Sequence, residues 1–171
     1  METLNFHSFT KKIYIKAPLE KLYWCWASSE GLCSWFLKEA IFTKNKKGKR
    51  PVSEAIQASD DYIWRWHNWD GKEEGTVLEA NGKDMLEFTF AGKSKVKVEL
   101  IPTNDSVLVS LKQYNIPTDE ESKLHIHVGC SNGWSFWLTN LKAYLEHAVL
   151  LHEREIDLRT VPMAAFEFVN L

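Results

Sequence analysis

The middle of the chain is divided by turn-forming residues at short, nearly equal intervals. Dipeptides ending in glycine occur at 70–71, 81–82 and 91–92, and a polar stretch with proline follows at 102–105. Between these turns, polar and apolar side chains alternate, as they do in a β-strand with one buried face. Because consecutive strands joined by short turns usually pair with each other, this spacing predicts an antiparallel β-meander.

One face of this predicted sheet is strongly apolar. Its positions are Tyr62, Trp64 and Trp66, then Thr76 and Leu78, then Leu86, Phe88 and Phe90, then Val96, Val98 and Leu100, and finally Val107, Val109 and Leu111. The opposite face carries Arg65, His67, Glu79, Glu87, Lys95, Lys97 and Glu99. A sheet of this kind leaves its polar face in water, so the apolar face needs a partner element.

Before the meander, the sequence predicts one strand and two short helices. Residues 9–16 alternate and contain β-branched side chains, and the strand ends before Pro18. Apolar residues then follow at helical spacing, at Leu19, Leu22, Tyr23 and Trp26. A second short helix after residues 28–31 carries Leu32, Trp35 and Phe36.

The stretch 42–52 breaks this pattern and is rich in basic residues. They are Lys44, Lys46, Lys47, Lys49 and Arg50. A phosphate-binding patch is one interpretation, but runs of like charge are usually solvated. We therefore predict a basic loop here and no regular element.

The partner of the sheet is a long helix near the C-terminus. Its apolar stripe consists of Trp134, Trp137, Leu138, Leu141, Tyr144, Leu145 and Ala148. Lys142 and Glu146 are predicted to form an outward-facing i, i+4 pair. The simplest closure is an α+β domain in which the curved antiparallel sheet wraps around this helix. Residues 124–128 fit either a strand end or an early helical turn.

Size, charge and cysteine content limit the class of protein. A chain of 171 residues suits one domain, with a core at about 9–149 and an extension at 150–171. The 21 basic and 23 acidic residues nearly cancel, so we expect neither nucleic acid nor an anionic membrane surface as a partner. No apolar run is long enough for membrane insertion, and three cysteines without paired spacing fit a soluble, cytoplasmic protein.

The C-terminal extension ends in apolar residues. After Pro162 come Phe166, Phe168 and Leu171. Such side chains need cover, which either the same domain or a second copy of the chain can supply. Composition leaves both options open.

Local motifs in this order resemble a known family. The residues are Ala17 to Tyr23, Ser29 to Leu32, Trp35-Phe36, Gly133-Trp134, Leu138, Leu141 and Leu145. The chain from Phe9 to about Val149 is similar to the activator of heat shock protein 90 ATPase homologue family, in the START-like, polyketide-cyclase-like (SRPBCC) superfamily. The resemblance implies a helix-grip fold. Members typically have a Gly-rich aromatic turn soon after the Trp-Phe pair, where this chain has its lysine-rich stretch.

Three kinds of motif are candidates for chemistry. Gly129 to Gly133 fits G-x-S-x-G with Ser131, but a nucleophile elbow needs a parallel sheet and an acid before the histidine. His125 and His127 form half of a metal site only if that segment is extended. Acidic pairs at 73–74 and 120–121 are expected at turns, where carboxylates are solvated. We therefore predict no catalytic residue, no metal and no cofactor.

The remaining candidate is the interior between sheet and helix. The residues expected to converge there are Trp35, Phe36, Trp64, Trp66, Phe88, Phe90, Trp134, Trp137 and Leu138. In the superfamily this space commonly holds a hydrophobic small molecule, although the same aromatic side chains would also fill it as an ordinary core. A ligand pocket predicts roughly 300 Å³ or more of enclosed volume.

The sequence favours a non-catalytic binding protein for a hydrophobic or amphipathic small molecule. One alternative is a protein-interaction module, either a chaperone ATPase activator or a homodimer formed through the apolar tail. Another is an enzyme of the cyclase or hydrolase type, which rests on the breadth of the superfamily and on Ser131.

Overall fold

The computed structural model describes residues 5–44 and 47–171. The elements are β1 (Phe9–Ile15), α1 (Leu19–Ala27), α2 (Ser29–Trp35), β2 (Glu39–Lys44), β3 (Asp60–Arg65), β4 (Glu73–Ala80), β5 (Met85–Phe90), β6 (Ser94–Pro102), β7 (Val107–Tyr114), α3 (Glu120–Ser122), a π-helical segment (Lys123–Val128), α4 (Gly129–His147) and α5 (Ala164–Glu167). No helix in these two ranges is both long and apolar enough to cross a bilayer.

Seven strands form one curved, unclosed antiparallel sheet in the order β1-β7-β6-β5-β4-β3-β2. Strands β3 to β7 pair in sequence order, so the predicted meander is confirmed. The core contains residues of the sheet, of α1 and α2, and of α4, including Trp134, Leu138 and Leu141. The fold is therefore the predicted helix-grip, with two short helices after the first strand.

The two short helices are joined by a tight turn at Ser28. Its hydroxyl accepts a hydrogen bond from the Gly31 amide at 2.9 Å and donates to the Trp24 carbonyl at 3.0 Å. A Cβ atom at Gly31 would lie 1.8 Å from the Trp24 carbonyl oxygen, so this position accepts only glycine without movement. The Trp35 indole N–H then donates to the Cys25 carbonyl and fixes α2 against α1.

Strand β4 presents the opposite residues from those predicted. Val77 is buried, whereas Leu78 is 37% exposed and Thr76 is only partly buried. The inward positions are 75 and 77, because the Tyr62 side chain packs against Gly75 and Val77 pairs with Phe88. The register with β5 shifts between Val77 and Glu79, and alternation in the sequence does not reveal such a bulge.

The predicted basic loop is partly an ordered structural element. Residues 39–44 form β2, which pairs with β3. Arg50 is buried and makes two hydrogen bonds to Asp60, at 2.7 and 2.8 Å, with Glu54 as a further partner. Lys44 pairs with Glu54 at 2.9 Å, so these two basic residues are neutralised by acids. Lys46 lies outside the described residues.

The C-terminal extension folds back onto its own domain. The Leu151 amide donates to the Asn140 side-chain oxygen at 2.6 Å. Asn68 donates to the Glu153 carbonyl and accepts from the Leu158 amide, each at 3.0 Å. Leu158 is buried as a result, so the first part of the extension is covered without a second copy of the chain.

The i, i+4 pair on α4 also contacts strand β1. Lys142 binds Glu146 at 2.6 Å, as predicted, and its ammonium donates to the Tyr14 carbonyl at 2.7 Å. The Glu146 carboxylate accepts from the Lys16 amide at 2.7 Å. Both side chains thus join the helix to the outer edge of the sheet.

Candidate ligand-binding pocket

Aromatic side chains converge around Phe36, at the C-terminal end of α2. Its ring centroid lies 5.0 to 5.8 Å from those of Trp35, Trp64, Trp66, Trp134 and Trp137. Phe90 reaches the same cluster through Trp134, at 5.3 Å. Strand β3, strand β5, α2 and α4 therefore each supply aromatic residues to one site.

A half-open pocket of about 170 Å³ lies at the surface of this cluster. Its lining residues are Phe36, Trp66, Phe90, His125, Gly129, Cys130, Gly133, Trp134 and Trp137. Five of the nine residues proposed from sequence thus line it. The other four, Trp35, Trp64, Phe88 and Leu138, are buried core residues outside the lining.

The four lining residues missed by sequence reasoning all come from one helical face. They are His125, Gly129, Cys130 and Gly133. The first, second and last of these lie at four-residue intervals that continue to the predicted Trp137, and Cys130 precedes the predicted Trp134 by the same interval. The signal is present in the sequence, but it becomes visible only if residues 124–128 are assigned to the helix rather than to a strand.

The pocket is smaller than the roughly 300 Å³ predicted from the sequence for a ligand site, so that volume prediction was wrong. At about 170 Å³ it falls below the range of roughly 300 Å³ and more that drug-sized ligands occupy. It is comparable to an apolar cavity of about 150 Å³, which accepts benzene. The aromatic residues therefore fill most of the interior and leave room for a group the size of one ring.

A buried hydrogen-bond chain fixes Trp134 in the pocket wall. The Trp134 indole N–H donates to the Gln113 side-chain oxygen at 3.0 Å, and the Gln113 amide donates to the Ser94 hydroxyl at 2.9 Å. All three residues are buried. Since the indole N–H donates to an acceptor that is itself held by a buried hydroxyl, the indole is fixed in one orientation.

The thiol in the pocket wall is not a reactive one. Burial raises the pKa of Cys130 to about 11, and the negative charge of Glu73 acts in the same direction. The thiol is therefore protonated at neutral pH and behaves as a small apolar side chain.

Glu73 lies within strand β4 and not at a turn, so that prediction was wrong for this residue. Its carboxylate accepts a hydrogen bond from the Ala91 amide at 2.8 Å, beside the pocket residue Phe90. Burial raises the pKa of Glu73, and the nearby Glu74 charge adds to the effect. The other acidic pair, 120–121, forms the exposed helix α3.

Neither of the two motifs considered as a catalytic or metal site has the local backbone geometry that the motif requires. Residues 129–133 are the first turns of α4, so Ser131 is not on a strand-to-helix elbow. His125 and His127 lie in the π-helical segment, where His125 faces the pocket and His127 contacts the rings of Phe6 and Phe9. No cluster of three potential metal ligands occurs among the residues described.

A buried histidine supports the pocket from behind. His152 lies 5.2 Å from the Trp137 ring and 5.5 Å from the His67 ring. Its Nδ1 lies 3.3 Å from the Asn140 amide nitrogen, which is a donor, so this ring nitrogen is the acceptor. Burial lowers the pKa of His152 to about 4, with the charges of His67 and Arg154 contributing.

Comparison with known proteins decides the family. Residues 16–146, about three quarters of the chain, match the activator of Hsp90 ATPase homolog 1-like proteins. The chain belongs to this family. The resemblance in its motifs is thereby confirmed. No curated protein is similar enough in sequence to match it.

Solved structures similar to this Hsp90-activator-like chain come from several bacteria. Protein SSP2350 of Staphylococcus saprophyticus shares 18% identity at a TM-score of 0.66, with 84% of this chain and 94% of that one covered. The Aha1 dimer of Colwellia psychrerythraea shares 18% identity at a TM-score of 0.63, with 82% of this chain and 96% of that one covered. Protein MLL2253 of Mesorhizobium loti shares 16% identity at a TM-score of 0.65, with 84% of this chain and 99% of that one covered. At such low identities the similarity establishes the fold alone.

Proposed function

We propose that this protein binds a small apolar molecule, or the apolar end of an amphipathic one, in the aromatic pocket beside α4. The observation that supports this best is the lining itself. Five aromatic side chains and two glycines surround a half-open space at the place where the helix-grip fold brings helix and sheet together. Concave apolar surfaces of this kind are the usual features of small-molecule sites.

The size of the pocket sets the expected affinity. A single ring that buries roughly 100 Å² of apolar surface gains about 2.5 kcal/mol. This corresponds to binding in the millimolar range or weaker. Tighter binding requires a ligand that extends beyond the mouth of the pocket.

Gly133 offers a direct test, because it lines the pocket and a Cβ atom there would meet no atom within 4 Å. A Gly133→Leu substitution should fill the space and abolish binding of toluene or indole, measured by chemical-shift changes in the Trp66 and Trp137 indole signals. The fold should persist, since leucine favours helix more than glycine does.

The matched control is Asn132→Leu, which adds the same side chain at an exposed neighbouring position of α4. This variant should bind both probes as the unsubstituted protein does. Concentration-dependent shifts that survive Gly133→Leu, or the absence of any concentration-dependent shift in the unsubstituted protein, would contradict the proposal.

A second candidate function is protein interaction, specifically homodimerisation through the outer face of the C-terminal extension. Eight large apolar side chains are exposed around it: Val149, Leu151, Ile156, Val161, Met163, Phe166, Phe168 and Val169. Exposed large apolar side chains in such number on one segment are typical of an interface. A structural neighbour, the Colwellia Aha1 protein, was solved as a dimer.

Charge placed on this surface should disrupt a dimer. Phe166 is 69% and Val169 is 83% exposed, so Phe166→Glu with Val169→Glu should leave the fold intact and give a monomeric mass by light scattering. Thr160→Glu, also exposed on the extension, is the control and should remain dimeric. A monomeric mass for the unsubstituted protein at all concentrations would exclude this function.

The family description also suggests a chaperone as the partner. The same double variant and the same control can be tested for retention on immobilised Hsp90. Retention of the unsubstituted protein and of Thr160→Glu, with loss in the double variant, would support the chaperone version. No retention of any of the three would remove it.

A further inference from the structure

The rings around the pocket are inclined to one another and do not form a flat stack. Phe36 meets Trp66 at 81°, Trp137 at 74° and Trp134 at 37°, and Phe90 meets Trp134 at 49°. The pocket wall is therefore built from aromatic rings in several orientations. The face of each aromatic ring carries negative electrostatic potential.

The charges around the pocket do not oppose a cation. Among the residues that the structure describes, no lysine or arginine lines the pocket, and its titratable side chains are His125 and Cys130. The carboxylate of Glu73 is close enough to contribute to the raised pKa of the Cys130 thiol, after the larger effect of burial. An acidic side chain therefore lies near the pocket wall, and no lysine or arginine among the described residues lines it.

We propose that the pocket is an aromatic cage for a methylated ammonium group, such as a quaternary amine. This inference rests on the proposed function, because it names the class of ligand that the same pocket binds. Cation–π attraction to several tryptophan rings is the usual mode of recognition of such groups. A trimethylammonium group is about as large as one aromatic ring, which is the size that the pocket accepts.

Methylation of the ammonium group lowers the cost of moving it from water into this pocket. A primary ammonium keeps strong hydrogen bonds to water, and the cage offers few acceptors to replace them. Methyl groups remove these hydrogen bonds and spread the charge over an apolar surface. A quaternary ammonium therefore enters an apolar, aromatic pocket at a lower desolvation cost than a primary amine does.

Choline and its neutral isostere, 3,3-dimethylbutan-1-ol, separate charge from shape. Both should be titrated into the protein at constant ionic strength and followed by the indole N–H signals. We expect choline to bind about tenfold more tightly than the alcohol, and ethanolamine to bind more weakly than choline. Equal binding of choline and the alcohol, or preference for the alcohol, would overturn the cage while the proposed function stands.

Binding of none of these probes, nor of toluene or indole, would instead remove the proposed function together with the cage. The two failures are therefore distinguishable in one set of titrations.

Variants of Trp66 test the role of the π system. Trp66 lines the pocket but is only partly buried, so it tolerates substitution better than Trp134. Trp66→Leu should lower choline affinity about fivefold or more and change affinity for the alcohol less than twofold, whereas Trp66→Phe should retain most choline binding. The control is Trp24→Leu, because Trp24 lies on α1 outside the pocket lining.

Glu73→Gln tests the contribution of charge near the wall. It should weaken choline binding and leave alcohol binding unchanged, because only the cation interacts with the carboxylate. Parallel losses for both ligands in Trp66→Leu and in Glu73→Gln, with unchanged thermal unfolding, would show that shape alone governs binding and would refute the cage.

Discussion

Single residues determine how much space the helix-grip interior keeps. Phe36 contacts five tryptophan rings and fills the centre of the cluster, whereas Gly129 and Gly133 leave room because they have no side chain. The pocket exists where the glycine face of α4 passes the aromatic face of the sheet. A side chain added at either glycine would therefore enter the pocket directly.

His152 should make stability depend on pH. Its pKa is about 4 in the folded protein and about 6.5 in an unfolded chain, so the unfolded state takes up the proton first on acidification. Its contribution is present above about pH 6.5 and is lost as the pH falls to about 4. The loss should be of the order of 3 kcal/mol, measured by urea unfolding across this range.

His152→Gln keeps an acceptor for Asn140 but does not titrate, so it should flatten this part of the pH profile. The exposed, non-titrating Thr160 serves as the control, and Thr160→Gln should leave the profile unchanged. An unaltered slope in the His152 variant would show that other groups cause the acid sensitivity.

At the scale of elements, the turn between α1 and α2 is the most sharply constrained connection. Gly31→Ala would place its methyl group 1.8 Å from the Trp24 carbonyl and should separate the two helices, at a cost of about 3 kcal/mol or more in the free energy of unfolding. Gly133→Ala is the matched change in open space and should be neutral or stabilising. Urea midpoints give both values, and a neutral Gly31→Ala would contradict the close approach of residue 31 to the Trp24 carbonyl.

Elements with a regular period were predictable from the sequence, and those with an irregularity were not. The apolar stripe of α4 and the alternation of polar and apolar residues in β5, β6 and β7 are set by the sequence of each segment alone. Strand β4 buries the face opposite to the predicted one. The bulge between Val77 and Glu79 and the Tyr62 ring over Gly75 determine which of its side chains point inward. Those causes lie in other strands, so no local pattern reveals them.

At the scale of the whole molecule, wrapping of the sheet around α4 followed from the need to bury two apolar faces against each other. Five of the nine candidate site residues line the pocket, but its volume was not predictable. The pocket volume is the space that the sheet encloses minus the volume that Phe36 and its tryptophan neighbours occupy. Small side-chain rotations change this remainder.

The outer edge of strand β1 is partly covered by side chains of α4. An unclosed sheet exposes backbone groups at its margin that can recruit a strand from another molecule. Lys142 and Glu146 occupy the Tyr14 carbonyl and the Lys16 amide there, at 2.7 Å each. The ion pair thus leaves two fewer backbone groups at this margin for an added strand to pair with.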